Sequence, residues 1–181
     1  MAKQNPTFLK RLMTEEKELR KENGKFGYLA YPRQRGEQVD YLKWDVFIDG
    51  PSESPYEGTC LHAELEFTTQ YPISPPKMKF ISKMFHPNIY DNGDVCISIL
   101  HDRVDDFILN DNPDERWSPV LNIGSITLSV TSILYQPNIN SPANVDAAKL
   151  YRENYKEYEK KVRELALKET VDINSLLDAY K

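Results

Sequence analysis

Residues 42–67 read LKWDVFIDGPSESPYEGTCLHAELEF, and this stretch decides the class of fold. Apolar residues alternate with polar or other residues over 42–48 and again over 61–67, with a turn-forming run at 49–51 after the first. Such alternation predicts β-strands that each bury one face. The two runs are therefore expected to pair as antiparallel neighbours in a sheet.

Two shorter runs extend this sheet on either side. The aromatic-rich run 26–31 precedes it and stops at Pro32, while residues 78–80 follow the breaker Pro75-Pro76. Four short strands joined by turns predict an antiparallel meander with one buried face.

Helical signals occupy both ends of the chain. A helix is expected to begin at 5–6 and end at 23–24, where Asn-Pro and Asn-Gly provide the boundaries. The apolar pattern over 123–134 fits a helix, but part of it also alternates, so periodicity alone does not decide. A further helix is expected to open at 141–142, and the pair at 154 and 157 resembles a capping box. The fold class is thus α+β, with an N-terminal helix, the meander, a long active-site segment and C-terminal helices.

Residues 82–120 follow no lasting helix or strand period, although they contain aromatic and apolar side chains. An ordered connection of this length is unusual and is typically functional. Cys96 lies within it, just after the turn-like run 91–94. A loop cysteine can be exposed, and its thiolate is a strong nucleophile, although most free cysteines are simply small buried apolar residues.

The composition excludes several classes of protein. The 181 residues suit one domain, and the net charge of −5 does not favour general binding to nucleic acid. No apolar run is long enough to span a membrane, and the N-terminus does not resemble a secretory signal. Two cysteines are too few for a structural zinc site, so no metal is expected. They are also too few for a disulfide framework, so we expect a cytoplasmic or nuclear location.

Several short motifs together carry a family resemblance. In chain order they are Tyr71-Pro72, Pro75-Pro76-Lys77, His86-Pro87-Asn88, Gly93-Asp94, Cys96 to Leu100, Trp117-Ser118-Pro119, Gln136-Pro137-Asn138 and Ser141 to Asn144. Their order and gaps resemble those of the ubiquitin-conjugating enzymes over residues 8–168. Residues 101–116 form an acidic insertion with six carboxylates and two arginines. This insertion, together with Ser98 and Ser141, resembles the acidic-loop subclass that builds polyubiquitin chains for degradation.

The resemblance implies an activity and a set of catalytic residues. Cys96 would accept ubiquitin from an activating enzyme as a thioester and pass it to a lysine amine, with a ligase holding the target. Attack by the lysine amine on the thioester would form an oxyanion. Asn88 would stabilise this oxyanion, hold the active-site segment by hydrogen bonds, or do both. Asp105 and Asp106 would orient the amine or accept its proton, or would form part of a solvated docking loop. Ser98 and Ser141 would flank the cysteine.

The resemblance also implies structural and docking residues. His86 and Pro87 would hold the active-site segment. Lys10 and Arg11 would meet the activating enzyme, and the ligase, expected to be of the RING type, would contact Ile73, Ser118, Pro119 and Val120. The enzyme itself would need no cofactor, because ATP is used by the activating enzyme.

Residues 1–169 are expected to form one catalytic domain, and 170–181 a C-terminal tail. Other functions also fit these residues. The chain could carry a different ubiquitin-like modifier, or bind ubiquitin without catalysis, although such a scaffold would be expected to lose Cys96. A cysteine hydrolase is also possible, with His86 or His101 as the base.

Overall fold

The computed structural model describes residues 6–102 and 113–173. The elements in chain order are α1 (Thr7–Glu22), β1 (Tyr28–Arg35), β2 (Gln38–Asp49), β3 (Cys60–Glu66), β4 (Lys77–Phe80), α2 (Ile123–Tyr135), α3 (Val145–Glu153) and α4 (Tyr155–Glu169). Two short 3-10 turns, at Ser98–Leu100 and Pro113–Glu115, lie between β4 and α2. This order confirms the α+β prediction. Within the described ranges, no helix is both long enough and apolar enough to cross a membrane.

The sheet is a meander with strand order β1-β2-β3-β4, in which every neighbouring pair is antiparallel. The alternating positions of β2 and β3 supply the main core, because side chains two residues apart share a face. Six of these side chains are fully buried and belong to the same cluster as the apolar side of α2: Trp44, Val46, Ile48, Leu61, Ala63 and Leu65.

Strand β1 does not stop at Pro32, as the sequence predicted, but continues to Arg35. Pro32 pairs with Trp44, and the register shifts between Pro32 and Arg33. Proline has no N–H to donate, which an edge strand with an irregular register tolerates. Strand β1 is at the edge of the sheet, so the expectation of a break was wrong there.

The outer face of the sheet is also covered in part, whereas the sequence predicted one buried face. Phe47, which points away from the main core, is only 1% exposed and packs in a second cluster with Tyr31 and Cys60. Val171 and Ile173 pack against this cluster, and the Val171 N–H donates to the Cys60 carbonyl at 2.9 Å. Contacts with the sheet therefore continue beyond residue 169.

Helix α2 resolves the ambiguity over 123–134. Its buried side chains recur at helical spacing, and Leu128, which fitted the strand pattern, is 52% exposed. The Asn122 side chain caps the helix by accepting the Ser125 N–H, and the Ser125 hydroxyl accepts the Asn122 N–H. The capped end and the apolar stripe both favour the helix over a strand.

The last two helices begin at asparagine caps. Helix α3 begins at Val145, after the Asn144 side chain accepts the Ala147 N–H, and so starts later than the expected 141–142. The Asn154 side chain accepts the Glu157 N–H, which confirms the expected cap of α4.

Helix α1 carries a buried carboxylate, Glu15, which is only 4% exposed. The Tyr71 hydroxyl donates to one of its oxygens at 2.5 Å, and the Ile123 N–H donates to the other at 2.9 Å. The Arg11 guanidinium donates to Glu15 at 2.6 Å and to the Leu121 carbonyl at 2.7 Å. One carboxylate thus ties α1 to the segment that precedes β4 and to the start of α2.

Candidate active site

Cys96 opens into a cleft of about 640 Å³ between the active-site segment and α2. Several of the residues predicted from sequence line it together, namely Asn88, Cys96, Ser98 and Ser141. Cys96 is partly exposed, whereas the other cysteine, Cys60, is buried. Burial and the nearby Asp49 carboxylate raise the pKa of the Cys60 thiol to about 11. The cleft therefore offers one accessible thiol, because Cys60 is held protonated inside the sheet.

A short hairpin positions Cys96. Ile89 bridges to Val95 across the turn, the Val95 N–H donates to the Met78 carbonyl, and the Cys96 N–H donates to the Asn88 carbonyl at 3.0 Å. Gly93 lies in this turn with a φ of +93°, and its carbonyl accepts the Phe80 N–H. A Cβ at Gly93 would lie 2.3 Å from the Phe80 carbonyl oxygen. Both the backbone conformation and the close approach require glycine there.

We expect Gly93→Ala to lower the free energy of unfolding by about 3 kcal/mol, because it combines backbone strain with a clash against backbone. Gly36 is the matched control, since its φ is +62° but no atom lies within 4 Å of an added Cβ. Gly36→Ala should cost about 1 kcal/mol, from strain alone. Urea unfolding of both variants measures the difference. Equal losses would show that the approach to Phe80 contributes nothing.

His86 is fully buried behind the cleft. Its Nε2 lies 2.8 Å from the Ile133 carbonyl, and its Nδ1 accepts the Asn88 N–H at 3.0 Å. These partners fit a neutral imidazole with its proton on Nε2. Burial lowers the pKa of His86 to about 4. His86 therefore joins the active-site segment to α2 and has no exposure from which to act as a base, while the Pro87 carbonyl accepts the Asn144 N–H.

Because of His86, the free energy of unfolding should fall by about 2 kcal/mol between pH 7 and pH 5. The unfolded imidazole binds a proton near pH 6.5, whereas the folded one does so only near about 4. Stability is therefore lost as the pH falls through 6.5 and this contribution levels off near 4. Urea unfolding followed by the fluorescence of the two buried tryptophans measures it. The His86→Gln variant should lack this slope, and an identical slope in both proteins would assign the loss to other groups.

The Asn88 side chain is 3% exposed and makes reciprocal hydrogen bonds with Asn138. Its Nδ2 donates to the Asn138 carbonyl at 2.7 Å, and its Oδ1 accepts the Asn138 N–H at 2.8 Å. The amide thus anchors the segment after α2 to the active-site segment. One Nδ2 hydrogen is used in this way, and the amide group has a second hydrogen to donate.

The acidic insertion reaches the cleft at its described end. Asp114 and Glu115 are exposed and line the same cleft as Cys96. Asp105 and Asp106, the predicted acidic residues, lie outside the described residues.

The predicted docking residues lie at the surface to different extents. Ile73 and Val120 are 75% and 84% exposed, Pro119 and Lys10 are exposed, and Ser118 is partly exposed. Arg11 is partly buried, and its guanidinium is occupied by Glu15, Pro119 and Leu121 within the same chain.

Sequence reasoning missed one residue beside the thiol. The Tyr90 hydroxyl lies 4.0 Å from the Cys96 sulfur, and the electrostatic interaction with Cys96 raises the pKa of Tyr90. The turn at 91–94 was a usable signal, because residues that flank a hairpin turn lie opposite each other.

In the described part of the chain, no three His, Cys, Asp or Glu side chains are grouped to hold a metal ion.

The chain matches a known family of enzymes over most of its length. The sequence profile described as "Ubiquitin-conjugating enzyme" matches residues 11–166, which include both the sheet and the cleft. The chain belongs to the ubiquitin-conjugating enzyme family. It is accordingly an enzyme of ubiquitin conjugation that forms ubiquitin thioesters.

Named relatives of this ubiquitin-conjugating enzyme share much of its length. "Ubiquitin-conjugating enzyme E2-18 kDa" of Schizosaccharomyces pombe is 48% identical over 160 residues, which are 88% of this chain and 94% of the relative. "Ubiquitin-conjugating enzyme E2 G2" of Bos taurus is 43% identical over 162 residues, 90% of this chain and 96% of the relative. "Probable ubiquitin-conjugating enzyme E2 7" of Caenorhabditis elegans is 55% identical over 123 residues, 68% of this chain and 75% of the relative. The family assignment decides against the cysteine hydrolase and the non-catalytic scaffold.

Proposed function

We propose that Cys96 carries ubiquitin as a thioester and transfers it to a lysine amine of a substrate or of another ubiquitin. The observation that carries this proposal is the accessible Cys96 thiol in a cleft shared with Asn88, Ser98 and Ser141. Exchange of an acyl group between thiols is close to neutral in free energy and needs no strong base. A thioester stays reactive toward amines, so one sulfur serves both for loading and for transfer.

Asn88 has two compatible roles in this reaction. Its bonds to Asn138 hold the cleft in shape. Its second Nδ2 hydrogen would donate to the oxyanion that forms when an amine attacks the thioester. One such donor is worth about 3 kcal/mol, or roughly a hundredfold in rate. Ser98 and Ser141 border the path by which the amine reaches the sulfur.

The acidic insertion supports a role in building degradation-type ubiquitin chains. Asp114 and Glu115 at its described end face the cleft, where carboxylates attract and orient a lysine ammonium group. Carboxylates also raise the pKa of a nearby amine, so attraction alone does not make it nucleophilic. Asp105 and Asp106 would therefore act by orienting the amine or by accepting its proton.

The exposed apolar side chains of Ile73 and Val120 support a docking site for a ligase, which we propose is of the RING type and also contacts Ser118 and Pro119. Exposed apolar residues of this kind commonly mark protein–protein contacts. Lys10 would contact the activating enzyme, and Arg11 would support that surface through its bonds to Glu15 and Leu121. Residues 1–169 would act as one catalytic domain followed by a tail, in the cytoplasm or the nucleus, and without a cofactor.

The test is a loading assay with activating enzyme, ubiquitin and ATP, read on gels with and without reductant. We expect a band heavier by one ubiquitin that requires ATP and disappears with thiol. A second incubation with free lysine should discharge that band. If no adduct forms with ubiquitin but one forms with a different ubiquitin-like modifier and its own activating enzyme, the proposal is wrong about the cargo.

A further inference from the structure

His101 lies beside the sulfur of Cys96, with its Nε2 3.8 Å from Sγ. Its backbone is held on both sides, since its N–H donates to the Ser98 carbonyl at 2.9 Å and its carbonyl accepts the Trp117 N–H at 3.1 Å. The residue immediately follows the 3-10 turn Ser98–Leu100 and lines the same cleft as Cys96. These backbone hydrogen bonds therefore hold the His101 imidazole next to the Cys96 sulfur.

The chemistry of transfer needs a proton acceptor at that place. A lysine amine has an ordinary pKa near about 10.4, so at pH 7 almost all of it is a non-nucleophilic ammonium group. Amide and hydroxyl side chains such as those of Asn88, Ser98 and Ser141 do not take up a proton near neutral pH. The raised pKa of Tyr90 keeps its phenol neutral. Histidine is the residue type best suited to exchange protons near neutral pH.

We propose that His101 is a catalytic residue that relays a proton from the incoming lysine to the sulfur of Cys96. Nε2 takes one proton from the ammonium, and the neutral amine nitrogen forms a bond to the thioester carbonyl carbon. When the C–S bond breaks, the electron pair stays on Sγ, and the imidazolium returns its proton to that sulfur. The nitrogen releases its second proton to water, which leaves an amide and a free thiol. This inference rests on Cys96 as the carrier.

Charged and titratable side chains surround His101. The titratable or charged groups that line its cleft, lie next to it in the chain or border the sulfur are Tyr90, Cys96, Asp102, Asp114, Glu115 and Arg116. The two carboxylates at 114 and 115 bring a lysine ammonium toward the cleft, and the imidazole removes the proton that this attraction would otherwise stabilise. Of the two roles proposed for the carboxylates of the acidic insertion, this arrangement leaves them that of orienting the amine, and His101 accepts the proton.

The experiment follows discharge of the preformed thioester in a single turnover, so loading and transfer are measured separately. At pH 7, His101→Gln should slow discharge to free lysine about a hundredfold, which is typical for loss of a general base. Discharge to hydroxylamine, an amine that is already neutral at this pH, should change less than about threefold, since no proton has to be removed before attack. His62→Gln is the matched control, because His62 lies on the outer face of the sheet, paired with Asp45, and should leave both rates unchanged.

The pH dependence distinguishes proton transfer from a merely structural role. Between pH 7 and pH 9, lysine discharge by the His101→Gln variant should rise about tenfold per pH unit, because it depends on the free amine. The unaltered enzyme should level off over the same range, a result that needs no variant to fold. Equal losses with both amines, a loss constant across pH, or no levelling in the unaltered enzyme would overturn the proposal. Failure of the unaltered enzyme to load would instead overturn Cys96 as the carrier.

Discussion

Replacing Cys96 with alanine is expected to abolish the reductant-sensitive ubiquitin adduct completely, while Cys60→Ala keeps it. The Cys96 thiol opens into the cleft, and no other sulfur nucleophile is available there because Cys60 is packed in the outer cluster of the sheet. Its raised pKa of about 11 keeps Cys60 in the unreactive thiol form near neutral pH. The measurement is the loading assay on the two variants and the unaltered enzyme, with folding checked by thermal unfolding.

Cys96→Ser sharpens this test. A serine hydroxyl is a much weaker nucleophile than a thiolate, so its adduct should form slowly, but an oxygen ester is not exchanged by thiols. The expected result is a faint band that survives reductant. If Cys96→Ala still forms the adduct and Cys60→Ala does not, the roles of the two cysteines are reversed and the site is not the cleft.

Glu15→Ala is expected to lower the free energy of unfolding by about 4 kcal/mol, the largest effect on stability that we predict. The substitution leaves the buried Tyr71 hydroxyl and the Ile123 N–H without their acceptor, and it removes the partner of Arg11. Each unsatisfied buried donor costs about 1–3 kcal/mol. For a chain of this length, such a loss corresponds to a fall of roughly 10 °C in melting temperature, which thermal unfolding measures directly.

Two control variants accompany Glu15→Ala, one at the same residue and one elsewhere on helix α1. Glu15→Gln keeps an oxygen acceptor and should cost less than half as much as alanine. Glu18→Ala removes an exposed carboxylate one turn along α1 and should change stability by no more than about 0.5 kcal/mol. Similar losses at Glu15 and Glu18 would mean that helix propensity or net charge, and not the buried bonds, determines the effect.

The strands could be predicted because their information is local. In β2 and β3, alternation along 42–48 and 61–67 identified the inner face correctly, since side-chain direction in a strand depends only on position along it. The boundary at Pro32 failed for the opposite reason. Whether proline ends a strand depends on whether its missing N–H faces a neighbour, and only the sheet order shows that β1 is at an edge.

Burial of polar and outward-facing residues could not be predicted from periodicity. Glu15 fits a charged helix face in sequence, yet its partners come from residues 71 and 123. Phe47 occupies a position expected to face solvent, yet residues 171 and 173 pack against its cluster. Both depend on contacts between segments far apart in the chain, which no local pattern encodes.

The α+β fold and the antiparallel meander could be predicted from the sequence, and the ordered motifs around residues 86–100 identified the family and the candidate nucleophile. These rest on local periodicity and on residue types at set spacings. Three features required the folded chain: the burial of His86, the bonds between Asn88 and Asn138, and the position of His101 beside the Cys96 sulfur. The physical reason is that hydrogen-bond partnership and solvent exposure depend on the packing of distant segments, and that packing determines which of several polar side chains can take part in the chemistry.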